Sequence, residues 1–377
     1  MKNIIKSILL ALLVLLSPNF IHASKLAKMA KKSGEIRIKD VSPHKGLNLN
    51  YNYGEMELVF WDKNEIVLKY DECVRASSQK RADEILQQRI AIKSIEGHYF
   101  RVGNADDSSV SFNSKWTVYV PSHISSVAAS NSFGNITVGK GFSGLIRIDV
   151  QNGDVNIPET KAMCVVEVTH GNFYVGNAAY LNMTTKHANG TISFAQTLKV
   201  QADHADFCKI DKADFMTINS KHSKIKVGNV GQLSSQGSYS TLEVNELSGL
   251  ANIRDMQHST IEMDKFLGKL DATDLSYSKL NITISKFNHT PFIMVTDLDY
   301  TDVKVKLPAS LRTSTYVNGK GSCRSISSGT AKIKSSAPWS SPNGVSTHVF
   351  QNTESFTPNS LIDINNESYG TILIEEY

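Results

Sequence analysis

Cysteine, proline, long apolar runs and charge of one sign are all scarce in this chain, and each scarcity excludes something. The four cysteines among 377 residues, Cys73, Cys164, Cys208 and Cys323, form no C-x-x-C pair, so a zinc site has no support. The 9 prolines are few enough for extended ladders to run uninterrupted. Lys and Arg number 40 against 36 Asp and Glu, a net charge of +4. No basic stripe is evident, which argues against a nucleic-acid partner. There is no G-x-S-x-G elbow and no glycine-rich phosphate loop. One apolar run stands out, Ile8 to Leu16, preceded by Lys2 and Lys6 and followed by Ile21-His22-Ala23. Residues 1–23 therefore read as a secretory signal peptide. The run is too short to span a bilayer comfortably, which makes an uncleaved anchor the lesser alternative. No cysteine flanks the cleavage point, so a lipoprotein anchor is unsupported. With no second long apolar run, the mature chain is expected to be soluble and exported, to the periplasm or the outer cell surface.

What is present is repetition. From about Ser125 to Val305 an apolar–polar–apolar triplet recurs. Its first members are Ile136, Val155, Phe173, Ile192, Cys208, Ile225, Leu242, Ile261, Leu280 and Val303. The steps are 19, 18, 19, 16, 17, 17, 19, 19 and 23 residues. A unit this short cannot hold a helix pair, and its alternation is that of strands. Turn signals recur at Asn152-Gly153, His170-Gly171, Asn189-Gly190 and Gly228-Asn229. The expected architecture is a parallel β-helix or β-solenoid whose coils stack about 4.8 Å apart. An antiparallel sandwich of many short strands is the alternative, but it would not place one residue column at a constant offset. Three positions before each triplet stand Phe133, Asn152, His170, Asn189, Ala205, His222, Tyr239, His258, Tyr277 and Tyr300. This column should form a ladder. Cys164 and Cys208 are more than two coils apart, beyond disulfide reach, and read as free buried thiols.

The flanks are less regular. Lys25 to Lys32 reads as a mobile basic stretch. Residues 34–121 read as a β-rich cap region with one helix at about 77–89, and 122–377 as the solenoid. Tyr53 to Leu58 and Ile66 to Tyr70 are expected to pair as a hairpin across Trp61-Asp62-Lys63-Asn64-Glu65. Ile90 to Ile95 and Tyr99 to Val102 are expected to form another. In the helix, Ala82, Ile85, Leu86 and Ile90 make one apolar stripe with Ser77 or Ser78 as N-cap. Lys80, Arg81, Asp83, Glu84 and Arg89 read as its solvated face. The helix is a candidate plug for the solenoid end, which otherwise exposes core and unpaired strand edges. Residues 318–345 read as an irregular loop. Tyr369-Gly370-Thr371-Ile372 repeats the ladder offset, so the C-terminus is expected to rejoin the stack.

The run from Leu49 to Leu58, Trp61-Asp62-Lys63-Asn64-Glu65-Ile66-Val67, the helix, Thr117-Val118-Tyr119-Val120-Pro121, Ser132-Phe133-Gly134-Asn135-Ile136 and Asn152-Gly153-Asp154-Val155 resembles one bacterial family. It is that of exported adhesins akin to the auto-transporter adhesin head, or GIN, domain, common in Bacteroidota. The resemblance covers essentially the mature chain. It implies a right-handed parallel β-helix at the cell envelope and no catalytic residues. This sequence departs from the family in placing His at 170, 222 and 258.

Three groups of residues carry candidate chemistry. His170, His187, His204 and His222 recur at one-coil spacing, which invites Zn²⁺ or Cu²⁺. His187 and His204, however, fall out of line with the triplet offset, and a metal-free stack of imidazoles and phenols accounts for the column equally well. Asp203, Asp206, Asp211 and Asp214 cluster as the carboxylates of β-helix lyases and calcium sites do. They sit beside Lys209 and Lys212 and read as solvated turn residues. The ladder residues Phe133, His170, His222, Tyr239, His258, Tyr277, Tyr300 and Tyr369 are the candidate binding face. The function expected is that of a non-enzymatic exported cell-envelope protein with a glycan or envelope-protein partner, no cofactor, no metal and no catalytic residue. A carbohydrate-active β-helix lyase or hydrolase is the alternative.

Overall fold

The computed structural model describes residues 28–90, 92–95, 99–102, 111–285, 292–308, 314–320, 323–328, 334–340, 345–351, 361–366 and 370–377. The expected signal peptide, residues 1–23, and Tyr369 lie outside the described residues.

The chain forms a parallel β-solenoid of about 9 turns. Each coil lays one strand segment on each of two walls, and the aliphatic core fills the space between them. On the first wall, in-register partners run Met56, Ile136, Val155, Phe173, Gly190, Cys208, Ile225, Leu242, Ile261, Leu280, Val303 and Ile372. On the second they run Leu47, Val127, Ile146, Cys164, Leu181, Leu198, Met216 and Leu233, then Ala251, Leu270, Ile293 and Ile362. Period-two alternation puts these aliphatic side chains inside and their polar neighbours outside. Cys164 and Cys208 are thus on different walls; both are buried and free. Burial pushes each thiol up to about 12.

The register corrects the triplet count at one rung. Phe173 pairs with Gly190, not Ile192, and Gly190 pairs with Cys208. The apparent steps of 19 and 16 become 17 and 18. Gly190-Thr191-Ile192 is the true triplet, and it was hidden because its first core position is a glycine.

At the N-terminal end the sheet turns antiparallel. Lys28–Lys39 pairs with Glu65–Ala76, which pairs with Ser111–Pro121. Lys28 to Lys32 is therefore strand rather than a mobile stretch. Glu55–Trp61 does not form the expected hairpin with Ile66 to Tyr70. It pairs in parallel with Ser111–Pro121 and with Ile136–Val138, because Met56 and Leu58 continue the first-wall core column. The hairpin of Ile92–Ile95 with Tyr99–Val102 is present.

Helix α1 (Gln79–Arg89) starts at Ser78, whose hydroxyl accepts the Arg81 N–H. Ala82, Ile85 and Leu86 pack on Ala30, Val74 and Ala76 in a small core apart from the solenoid's. Arg89 is not part of a solvated face. It is 2% exposed and pairs with buried Glu72 at 3.0 Å. Glu72 also accepts hydrogen bonds from Ser114 Oγ and Trp116 Nε1. The signal lay in the sequence: Arg89 stands seven residues after Ala82, on the buried stripe.

At the other end, Gly370–Glu376 rejoins the first wall beside Asp302–Leu307. It is not the last rung, because Cys323–Ser328 pairs on its far side. Ser314–Lys320, Val345–Gln351 and Lys334–Ser340 extend the second wall, the latter two antiparallel. The expected loop over 318–345 therefore contains two strands.

Candidate functional site

The corner where the second wall turns into the first is made, in coil after coil, by one residue in the left-handed region. Asn152, His170, His187, His204, His222, Tyr239, His258, Tyr277 and Tyr300 have φ between 47° and 55°. Asn and His enter this region more readily than most residues, and Tyr does so at a cost. The turn is held by a repeated bond: the backbone N–H of each ladder residue from His170 to Tyr277 donates to a carbonyl of the next coil at 2.8–3.0 Å.

Stacking these corners stacks their side chains. His170, His187, His204, His222, Tyr239, His258, Tyr277 and Tyr300 form one unbroken column with centroids 4.7–4.9 Å apart and ring planes within 29° of parallel. The spacing equals the coil rise, so the backbone sets it. Phe133 holds the same register position one rung before Asn152 but lies outside the unbroken run of rings. It stacks on Tyr53 at 4.8 Å, and Asn152 stands between it and His170. His187 and His204, apparently out of line, are full members. The mis-set triplet displaced His187, and an extra residue in the corner His204-Ala205-Asp206-Phe207 displaced His204. Asn189 and Ala205 are accordingly not ladder residues.

Ring faces in this column are covered by neighbouring rings. A sugar cannot lie flat on them, so the ladder is not a stacking platform along its length. The ring edges face solvent; Tyr239, Tyr277 and Tyr300 are 54%, 53% and 46% exposed. What the edge offers is a line of phenol hydroxyls and imidazole nitrogens at one-coil intervals.

Beneath the exposed ladder runs a second, buried one. The residue after each ladder position is Gly153, Gly171, Ala188, Ala205, Ser223, Ser240, Ser259, Ser278 and Thr301. Ser240 Oγ accepts the Ser223 N–H at 3.3 Å and donates to the Ser238 carbonyl at 2.9 Å. Ser259, Ser278 and Thr301 repeat both bonds. Each hydroxyl stitches two coils while satisfying buried backbone. Sequence reading missed this column, although the recurring aromatic–hydroxyl dipeptides from His222-Ser223 to Tyr300-Thr301 signal it.

The acidic residues do not gather. Asp203 Oδ1 lies 2.6 Å from His204 Nδ1, Asp211 pairs with Lys209 at 2.6 Å, and Asp206 is exposed in the corner turn. A shallow concavity on the first wall is lined by Glu262, Asp264, Asn281, Thr283, Lys304 and Lys306, and neither Asp203 nor Asp206 belongs to it. The opposite edge of the solenoid is apolar at most of its rungs. Met163, Tyr180, Thr197, Phe215 and Gln232 stack in register. Met163, Tyr180 and Phe215 are exposed, as are Leu145 and Leu250 close by.

No family of known proteins and no curated protein matches the chain. Among solved structures, one described as a "putative cell adhesion protein" from Clostridium sporogenes aligns over 92% of this chain and 100% of its own length, at 9% identity and a TM-score of 0.22. No helix among the described residues is long and apolar enough to cross a membrane.

Proposed function

We propose that this chain is a non-enzymatic binding or structural protein of the cell envelope, exported to the periplasm or outer surface. Its partner would be a glycan or an envelope protein contacted along the length of the solenoid. The reading rests chiefly on the exposed ladder from His170 to Tyr300, eight rings in register over about 34 Å. Such an edge offers the same hydrogen-bonding group many times. Weak contacts at each rung add up when the partner is itself extended and repetitive. The apolar opposite edge supports the same reading, since contiguous exposed apolar side chains mark contact surfaces.

Fractionation of whole cells combined with a glycan array tests it. The protein is expected in the envelope fraction, retained by at least one extended polysaccharide or envelope protein. The triple variant Tyr239→Asn, Tyr277→Asn, Tyr300→Asn is expected to bind at least tenfold more weakly, with its fold kept because Asn152 already occupies this position. Cytosolic location, or partner binding indifferent to the triple variant, would overturn the proposal.

A further inference from the structure

The histidine half of the ladder has a property that the phenol half lacks. Four imidazoles, His170, His187, His204 and His222, follow one another with no other residue type between them, at centroid separations of 4.8, 4.9 and 4.7 Å. Neighbouring rungs are about one strand spacing apart. That is close to the 5–6 Å between side chains four apart on a helix, the spacing at which a histidine pair chelates zinc. In the stacked arrangement the nitrogen lone pairs lie side by side, and no three metal-ligating side chains converge among the described residues. Side-chain rotation of two exposed neighbours is what brings their nitrogens onto one ion.

One contact singles out the middle pair. Asp203 Oδ1 sits 2.6 Å from His204 Nδ1. A carboxylate there holds the proton on Nδ1 and leaves the Nε2 lone pair free, the arrangement that supports metal-ligating histidines. Asp203 also brings negative charge to this rung. The equivalent positions on the adjoining rungs are Lys186, beside His187, and Lys221, beside His222, so among these three rungs the negative charge stands at His204 alone. Cys208, on the wall nearby, is fully buried and is no competing ligand.

We infer that the edge at His187 and His204, oriented by Asp203 and bordered by His170 and His222, is a binding site for one divalent transition-metal ion of the imidazole-seeking kind, such as Zn²⁺, Ni²⁺ or Cu²⁺. The inference does not rest on the adhesive reading; the site would exist whatever the molecule's partner.

Calorimetric titration of Zn²⁺ into the intact chain, expressed without a polyhistidine tag, tests it. Saturable binding of one ion per chain is expected. His187→Asn and His204→Asn should each weaken it at least tenfold, and His258→Asn, a lone imidazole between two tyrosines, should leave it unchanged. Asn is the substitute this column already accepts at Asn152, with φ 55°, and unchanged far-ultraviolet dichroism of each single variant would show that the coils persist. Absence of saturable Zn²⁺ binding, or equal affinity in the wild type and both single variants, would overturn the inference.

Discussion

The two halves of the ladder solve one structural problem in two ways. From Ser223 to Thr301 the corner is stitched from inside, by buried hydroxyls that accept an N–H from the preceding coil. From Asn135 to Phe207 it is stitched from outside. Asn135 Oδ1 accepts the Asp154 N–H at 2.8 Å, Asp154 Oδ1 accepts the Asn172 N–H at 2.8 Å, and Asn189 Oδ1 accepts the Phe207 N–H at 2.8 Å. The inward residue there is Gly153, Gly171, Ala188 or Ala205. The change comes at one rung, where the Ala205 N–H donates to Ser223 Oγ at 3.1 Å. An outer Asx side chain can be replaced by water; a buried serine cannot. The same corner geometry should thus be more tolerant of substitution in the histidine half's outer column than in the tyrosine half's inner one.

The largest effect should nevertheless fall in the histidine half, at Gly171. A Cβ there would collide with the Gly153 backbone carbonyl, and neither coil can yield without opening the corner. Gly171→Ala is expected to destabilise by about 3 kcal/mol, read as a lowered denaturant midpoint. It should also expose Cys208 to thiol reagents at pH 8, where the native thiol, pushed up to about 12, stays protonated and unreactive.

Next comes the hydroxyl column. Ser259→Ala leaves the buried Ser240 N–H without its acceptor and takes from the Gln257 carbonyl one of its two donors, the Tyr239 N–H remaining, and a loss of about 1–3 kcal/mol is expected. An equal loss in Asp154→Ala, whose carboxylate is replaceable by solvent, would break the contrast between the halves. Ring stacking contributes less: Tyr277→Asn removes two stacks, with His258 and Tyr300, and should cost about 1 kcal/mol. Asp154→Ala is the smallest, about 0.5 kcal/mol.

The fold was largely legible because period-two alternation on a near-constant period, with one residue column at a fixed offset, favours stacked coils over a sandwich. Its register was less so. At Gly190 a glycine fills a core position, and in the Ala205 corner an extra residue shifts the count. Spacing arguments cannot see either, since backbone pairing absorbs them. That slip hid His187 and His204, and with them the continuity of the imidazole run. Arg89 misleads for a different reason: its charge suggests solvent, while its place on the Ala82 stripe dictates burial, and Glu72 with Ser114 makes the burial tolerable. The Glu55–Trp61 pairing was missed because neighbours in sequence suggested a hairpin, where the solenoid core claimed Met56 and Leu58.

Stacking in register, with His187 and His204 on adjacent rungs, is the claim on which the rest stands. Paired cysteines test it most directly. Adjacent rungs bring Cα atoms to about 4.8 Å, inside disulfide reach, and rungs two apart to about 9.6 Å, outside it. His187→Cys with His204→Cys should close an intramolecular disulfide under mild oxidation, seen as a two-dalton mass loss, while His187→Cys with His222→Cys should stay reduced. Closure of the second pair, or failure of the first in folded protein, would contradict the ladder.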